Sequence, residues 1–192
     1  LARAWTAAHD GPSKYPGRFP GDVHVDFDVP ITMSDGTVLK ANIYRPMDAD
    51  GRPVDTPLPT IVNLTPYTKF VSVLADLALS VPLLSDALIE LVNRFDFGGT
   101  PFDSITDLTR ALSGGAARTF GADRKLVQQG YTQIVADTRG TGYSQGAWQF
   151  FGARETQDSV ELIDWASKQP WSDGNIGMSG ISYSAINQYK AA

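Results

Sequence analysis

The sequence predicts an α/β fold with a mostly parallel sheet, crossover helices and a helical insertion. A continuous apolar run at 59–64 is typical of a strand that is buried on both faces, and a second run, 131–136, predicts the next strand. A helical pattern over 154–168 separates the second run from a third short strand at 175–178. Strands that alternate with helices in this way indicate parallel strands joined by crossover helices.

The first part of the chain predicts a lead-in followed by a hairpin. Residues 1–21 are rich in glycine, proline and polar side chains and indicate an irregular segment at the surface. Over 22–29 polar residues alternate with Val23, Val25, Phe27 and Val29, the pattern of a half-exposed strand. A turn at 34–37 and a second strand at 38–44 follow. We interpret His9, in the lead-in, and His24, on the polar face of the first strand, as histidines without a catalytic role.

Residues 71–116 interrupt the alternation and predict a helical insertion. Apolar residues recur there at three- and four-residue spacing, with a break near Pro82. The insertion is either an ordinary helical cover of the sheet or a lid whose apolar inner face favours acyl substrates. Asp76, Asp86 and Glu90 argue against a transmembrane segment. After the insertion, 118–129 predicts a helix that ends at a C-cap glycine, Gly130.

Composition excludes several classes of function. A net charge of −5 without a Lys/Arg run argues against nucleic acid as a partner. The absence of cysteine excludes disulfides, thiolate metal sites and a cysteine nucleophile. The loop at 137–146 has two glycines in G-x-G spacing, but Gln145 stands where a third is required and no helix opens directly after it, so we reject a phosphate loop. No cofactor or metal is expected.

The segment Gly-Ile-Ser-Tyr-Ser at 180–184 approximates the G-x-S-x-G nucleophile elbow, in which a strained turn between strand and helix exposes a serine. This pattern makes Ser182 the candidate nucleophile and the backbone N–H of Tyr183 a candidate oxyanion donor. Ser184 replaces the final glycine of the motif but is small enough for close packing. Ser179 is expected inside the strand. The alternative interpretation is a β-turn-α unit of small residues without catalytic meaning.

Tyr67 follows the predicted strand at 59–64. Ligands of open α/β sheets usually bind at the carboxyl ends of central strands. Tyr67 is therefore either a hydroxyl donor in a pocket or a loop aromatic that packs on the sheet.

Four stretches in this order resemble the cocaine-esterase and Xaa-Pro dipeptidyl-peptidase group of α/β-hydrolases. They are Asp35-Gly36-Thr37 with Ile43-Tyr44-Arg45-Pro46, then Thr65-Pro66-Tyr67, then Asp137-Thr138-Arg139-Gly140-Thr141-Gly142 with Ser144 and Gly146, and last Asp164-Trp165 through Gln169-Pro170-Trp171, Gly174 and Gly180-Ile181-Ser182-Tyr183. The resemblance implies that residues 22–192 are the N-terminal portion of an α/β-hydrolase fold. It also implies that Ser182 is acylated and that the Tyr67 hydroxyl joins the Tyr183 N–H in the oxyanion hole.

The function expected from this resemblance is a serine hydrolase that acts on a small-molecule ester, amide or peptide. The catalytic triad of these enzymes runs Ser, acid, His along the chain, but residues 183–192 contain no Asp, Glu or His. We therefore expect the acid and the histidine in the remainder of the hydrolase chain, beyond Ala192. The alternative is a catalytically inactive fragment or a degenerate hydrolase module that acts in binding or assembly.

Overall fold

The computed structural model of the protein describes Phe19, residues 22–67 and residues 122–192. This part of the chain forms the strands β1 (Val23–Thr32), β2 (Val38–Pro46), β3 (Leu58–Thr65), β4 (Thr132–Asp137) and β5 (Ser172–Met178), and the helices α1 (Arg124–Gln128), α2 (Ala153–Ser167) and α3 (Tyr183–Ala191). The strands make one mixed sheet in the order β1-β2-β4-β3-β5. The helical insertion predicted at 71–116 and the lead-in, apart from Phe19, lie outside the described residues.

The antiparallel part of the sheet is the predicted hairpin. β1 pairs antiparallel with β2, and β2 pairs antiparallel with β4. The Met33 N–H donates to the Thr37 carbonyl across the turn at 2.8 Å. Gly36 has φ 80°, in the left-handed region that favours glycine. The hairpin turn at 34–37 is therefore confirmed.

The predicted alternation along β1 is wrong in the middle of the strand. The register with β2 shifts between Asp26 and Val29, and Asp28 has φ 54°. One extra residue in a strand is a β-bulge, which changes the face on which the neighbouring side chains lie. Phe27, expected on the apolar face, is 62% exposed.

The parallel part of the sheet confirms the predicted parallel strands. β3 pairs in parallel with β4 on one side and with β5 on the other. All six residues of β4 are buried, including the polar Thr132, Gln133 and Asp137, as is typical of a central strand covered on both faces. β5 begins three residues earlier than the strand predicted at 175–178, and its register against β3 shifts near Gly174, which has φ 84°. Because β3 and β5 are parallel neighbours, the residues that follow them lie next to each other at the carboxyl-terminal edge of the sheet.

Helices cover both faces of the sheet. Leu162 of α2 packs in one core cluster with Ile134 of β4. Val127 of α1 packs in a second cluster with Val135 of β4. Successive strand residues point to opposite faces, so α1 and α2 lie on opposite sides of the sheet. None of the helices in the described ranges has the length and apolarity that crossing a bilayer requires.

The ends of α2 and the C-terminal end of α1 agree closely with the sequence pattern. The prediction for α2 is 154–168, and the helix spans Ala153–Ser167. For α1 the prediction 118–129 is wrong at the start, because residues 122 and 123 are not helical and the Asp123 side chain caps a helix that begins at Arg124. Gly130 after α1 has φ 103°, which confirms the C-cap glycine. Val160, an apolar residue of α2, is exposed. The side chains that α2 buries are Glu155, Asp158, Ser159, Leu162 and Ala166.

A buried ion pair joins the loop after β4 to α2. Arg139 donates from Nε and Nη2 to the two carboxylate oxygens of Asp158 at 2.6 and 2.8 Å. Arg139 also pairs with Asp35 in the hairpin turn, at 2.9 Å. The hydrogen bonds that Arg139 donates to Asp158 raise the pKa of Arg139 above its ordinary value, although partial burial lowers it. The charged Arg139 guanidinium therefore links three segments: the loop after β4, helix α2 and the hairpin turn.

Ser34 and Glu161 form a second link between the hairpin turn and α2, and it predicts a pH-dependent stability. Ser34 donates its N–H and its hydroxyl to Glu161 at 2.7 and 2.6 Å. Burial raises the pKa of Glu161, but the bonds from Ser34, together with a hydrogen bond from Gln157 and the charge of Arg154, outweigh it and hold the pKa below the ordinary 4.5. A depressed carboxyl pKa stabilises the fold above the unfolded-state value, and this stabilisation is lost as the pH falls through the folded-state pKa. We expect Ser34→Ala to cost about 1 kcal/mol at pH 7 and less at a pH well below the ordinary 4.5, where Glu161 is protonated.

Denaturant midpoints measured at the two pH values on the native chain that carries these residues test this expectation. Ser167→Ala is the matched control, because the Ser167 hydroxyl donates to a backbone carbonyl and not to a carboxylate. Its effect on the free energy of unfolding is expected to be the same at both pH values. An effect of Ser34→Ala that does not change with pH would contradict the assignment.

Candidate active site

The turn between β5 and α3 holds Ser182 in a strained conformation. Ser182 has φ 55° and ψ −118°, a combination that costs a side-chain-bearing residue about 1–3 kcal/mol. Its side chain is exposed. Although Ser182 occupies the N-cap position of α3, its hydroxyl makes no capping hydrogen bond to that helix. The sequence thus places an accessible hydroxyl at the tip of a strand–turn–helix unit, the geometry of a nucleophile elbow.

The tightness of this turn depends on Gly180 and Ser184. A Cβ atom on Gly180 would lie 2.5 Å from the Ser184 Cβ and 2.8 Å from the Ser184 carbonyl carbon. Ser184 is buried, and its N–H donates to the Ile181 carbonyl at 3.1 Å. Strand and helix therefore touch where the motif has its two small residues, and a serine fits the second of these positions.

We expect Gly180→Ala to lower the free energy of unfolding by about 1–3 kcal/mol, because the added methyl group meets backbone atoms that cannot move aside. The matched control is Gly177→Ala, three residues earlier in β5, since a Cβ there would meet nothing within 4 Å. Urea denaturation of both variants measures the difference. Equal losses of stability would contradict the close approach at Gly180.

Ser179 lies just outside the strand in which it was expected. β5 ends at Met178, and the Ser179 N–H still donates to the Val62 carbonyl of β3 at 3.0 Å. The prediction was therefore wrong by one residue, because the last backbone bond to the neighbouring strand extends beyond the regular strand. Ser179 is anchored by its backbone before the turn, whereas Ser182 stands at its tip.

Tyr67 lies directly beyond the carboxyl end of β3. Its backbone N–H donates to the Thr65 hydroxyl oxygen at 3.1 Å, and its side chain is half-buried. The neighbouring strand β5 ends at the same edge and leads into the elbow. The topology thus brings the two predicted site residues, Tyr67 and Ser182, to one edge of the sheet.

The phenol of Tyr67 and the backbone amide of Tyr183 converge. The Tyr183 N–H donates to Tyr67 Oη at 3.4 Å, near the upper limit for a hydrogen bond. Two donors at this separation can both reach a single acceptor oxygen placed ~2.9 Å from each. This arrangement can stabilise an oxyanion that forms on a group bonded to Ser182. Its catalytic role remains a prediction.

The side chain of Tyr183 serves a different purpose from its backbone. It is 5% exposed, and its ring stacks on Phe151 with centroids 3.9 Å apart. Its hydroxyl accepts from Trp148 Nε1 at 3.1 Å and from the Phe151 N–H at 2.9 Å, and it donates to Glu155. Burial and the Glu155 carboxylate raise the pKa of Tyr183, so the phenol stays neutral at physiological pH.

Glu155 is a residue of this site that sequence reasoning missed. A glutamate near the start of a helix ordinarily faces solvent, yet Glu155 is buried. A signal was available: Glu155, Ser159, Leu162 and Ala166 have the spacing of one helix face. Only two of these four residues are apolar, so a search for apolar periodicity does not find the stripe or the carboxylate on it.

The described residues hold no histidine near the elbow. His24 is hydrogen-bonded to Asp26 at 3.0 Å on β1. β1 and β5 are the two outer strands of the sheet. Four strand spacings, roughly 19 Å, separate these two strands. His9 lies outside the described residues. In residues 22–67 and 122–192 no group of three His, Cys, Asp or Glu side chains is placed to hold a metal ion.

Comparison with known proteins places this geometry in context. A family model described as X-Pro dipeptidyl-peptidase (S15 family) matches residues 35–192. The cocaine esterase of Rhodococcus sp. (strain MB1 Bresler) is 28% identical over 172 residues, which make up 90% of this chain and 22% of that protein. The chain thus spans less than a quarter of the length of this relative.

Solved structures show a similar fold. A CocE/NonD family hydrolase from Staphylococcus aureus matches 87% of this chain and 25% of its own, with a TM-score of 0.54 and 24% identity. An α-amino acid ester hydrolase matches 95% of this chain and 25% of its own, with a TM-score of 0.53 and 21% identity. The mixed sheet and its helices are accordingly the N-terminal portion of an α/β-hydrolase fold, as the sequence predicts.

Proposed function

Since the chain belongs to the X-Pro dipeptidyl-peptidase (S15) family, we propose that it supplies the nucleophile and the oxyanion hole of a serine hydrolase. The observation that carries this proposal is the geometry at one edge of the sheet. Ser182 is exposed on a strained turn, and the next backbone N–H lies 3.4 Å from the Tyr67 hydroxyl. The similarity to a cocaine esterase supports hydrolysis as the type of reaction.

In the proposed reaction, Ser182 Oγ bonds to the carbonyl carbon of the substrate while its proton passes to a histidine base. The carbonyl oxygen gains the electron pair of the π bond and accepts hydrogen bonds from Tyr67 Oη and the Tyr183 N–H. Collapse of this intermediate expels the alcohol or amine, which takes the proton from the histidine. Water then attacks the acyl-enzyme with the help of the same base, and the carboxylic acid and free Ser182 are released.

The histidine and its acidic partner are proposed to lie in the remainder of the hydrolase chain, beyond Ala192. Residues 183–192 contain no Asp, Glu or His, and the acid and base follow the serine in α/β-hydrolases. The matched relatives are about four times as long as the part that this chain covers. Assays of activity therefore require the full native chain that carries these residues.

The substrate is proposed to be a small ester, an amide or an Xaa-Pro peptide. The family description favours the peptide, whereas the cocaine esterase relative favours an ester. Ser182, Tyr67 and the Tyr183 N–H are proposed to act on the carbonyl group, which both substrate classes share. Rates on a p-nitrophenyl ester and on an Xaa-Pro p-nitroanilide, measured side by side, distinguish the two classes.

A second candidate function is a binding or assembly module without catalysis. The feature that favours it is the lack of any triad acid or histidine after Ser182. The serine at position 184 does not favour it, because Ser184 packs against Gly180 without distorting the motif.

A fluorophosphonate probe applied to the full native chain tests the proposed function. Phosphonylation requires an activated serine, so peptide mapping is expected to find the adduct on Ser182. An intact, folded native chain in which Ser182 stays unmodified would favour the non-catalytic module.

A further inference from the structure

We propose that Glu155 is a positioning residue, which holds the Tyr183 amide in the orientation that the oxyanion requires; this inference rests on the proposed function. Glu155 does not reach the turn itself. It acts through the side chain of Tyr183, whose backbone N–H is one of the two converging donors.

The Glu155 carboxylate is buried, 2% exposed, and accepts hydrogen bonds from two elements at once. From the loop before α2, it accepts the Gln149 N–H at 3.0 Å and the Phe151 N–H at 3.2 Å. From the first residue of α3, it accepts the Tyr183 hydroxyl. A buried carboxylate with three donors is well satisfied, so its removal would release all three groups together.

The Tyr183 side chain is constrained at each of its polar and aromatic contacts. Its hydroxyl is shared among Glu155, the Trp148 indole and the Phe151 N–H, while its ring stacks on Phe151. Side chain and backbone N–H extend from the same residue, at the first position of α3. A phenol fixed at its far end therefore limits rotation of the peptide between Ser182 and Tyr183.

The loop that Glu155 holds is itself strained. Phe150 and Phe151 are consecutive non-glycine residues with φ 44° and 62°. Such strained conformations persist only where surrounding contacts hold them. Here the N–H groups of Gln149 and Phe151, the residues before and after Phe150, both donate to the Glu155 carboxylate. Lys190 near the end of α3 donates to the Phe151 carbonyl at 2.7 Å. Hydrogen bonds therefore join α3 to this loop at both ends of the helix. Glu155 lies at the first end, where Tyr183 carries the proposed oxyanion donor.

Asp158 provides a comparison within the same helix. It is equally buried and also accepts charge-assisted hydrogen bonds, but its partners are Arg139 and Arg154. A substitution of Asp158 therefore removes a buried carboxylate from α2 without removing a contact to Tyr183.

The test compares Tyr183→Phe, Glu155→Gln, their double variant and Asp158→Asn in the full native chain, with a p-nitrophenyl ester as substrate. Tyr183→Phe keeps the stacked ring and the backbone N–H and is the mildest change. We expect kcat to fall about 10- to 100-fold in Tyr183→Phe and Glu155→Gln with KM within about threefold, since a small misplacement of a donor has effects of this size. The double variant should resemble the worse single variant. Asp158→Asn should lower the melting temperature but change kcat by less than about twofold.

A second measurement separates this inference from the proposed function. Hydrogen exchange of the peptide that covers 179–187 is expected to accelerate in Tyr183→Phe and Glu155→Gln but not in Asp158→Asn, whether or not the protein turns over substrate. Unchanged kcat and unchanged exchange in folded Tyr183→Phe would overturn the positioning role. So would an equal loss of kcat in Asp158→Asn. A wild-type chain without hydrolysis or labelling would overturn the proposed function, while the exchange data still decide the role of Glu155.

Discussion

Ser182→Ala is expected to lower kcat for ester hydrolysis by a factor on the order of 10⁴ or more, with little change in stability. The hydroxyl is the atom that would bond to the acyl carbon, and it makes no capping hydrogen bond to α3 whose loss would unfold the turn. The measurement is steady-state hydrolysis of a p-nitrophenyl ester by the full native chain.

Ser179→Ala is the matched control for this experiment. Ser179 lies three residues earlier and is held through its backbone to Val62, so its hydroxyl should not affect the rate. Loss of activity in Ser179→Ala with retention in Ser182→Ala would show that the turn presents a different serine. Retention of activity in both variants would remove the nucleophile from this segment altogether.

Tyr67→Phe is expected to lower kcat about 10²- to 10³-fold, which corresponds to ~3–4 kcal/mol of transition-state stabilisation. The phenol lies 3.4 Å from the Tyr183 N–H. A hydrogen bond from it to an oxyanion would be stronger than one to a neutral carbonyl oxygen, because the acceptor is charged. KM should therefore change much less than kcat. The measurement is a full kcat and KM determination with the same ester.

Tyr189→Phe controls for the removal of a phenol. Tyr189 lies on α3 and is largely exposed, so its hydroxyl should not affect the rate. A rise in KM at constant kcat in Tyr67→Phe would mean that the phenol binds substrate and transition state equally. That result would remove Tyr67 from the oxyanion hole.

The sequence predicted the elements that position this site because their signals are local. The runs at 59–64 and 131–136 predict strands, and both lie in the parallel part of the sheet. Gly130 and Gly36 marked a helix end and a hairpin turn through the positive φ that each one has. The motif at 180–184 predicted the turn itself, and Ser182 has the positive φ that such a turn demands.

The features that the sequence did not reveal depend on contacts between distant segments. The bulge that exposes Phe27 arises from the register of β1 against β2, which a period-two pattern does not encode. Glu155 is buried because a tyrosine and two loop amides approach it from other elements. Propensity places a glutamate at the surface, and only the tertiary structure supplies the donors that make its burial favourable.

The most direct test of the account is a crystal structure of the full native chain after reaction with a fluorophosphonate. The phosphonyl group mimics the tetrahedral intermediate, with its oxygen in the position of the oxyanion. We predict phosphorus bonded to Ser182 Oγ and its oxygen within about 3.1 Å of both Tyr67 Oη and the Tyr183 amide nitrogen. An adduct on another side chain, or an oxygen that points away from both donors, would contradict the account.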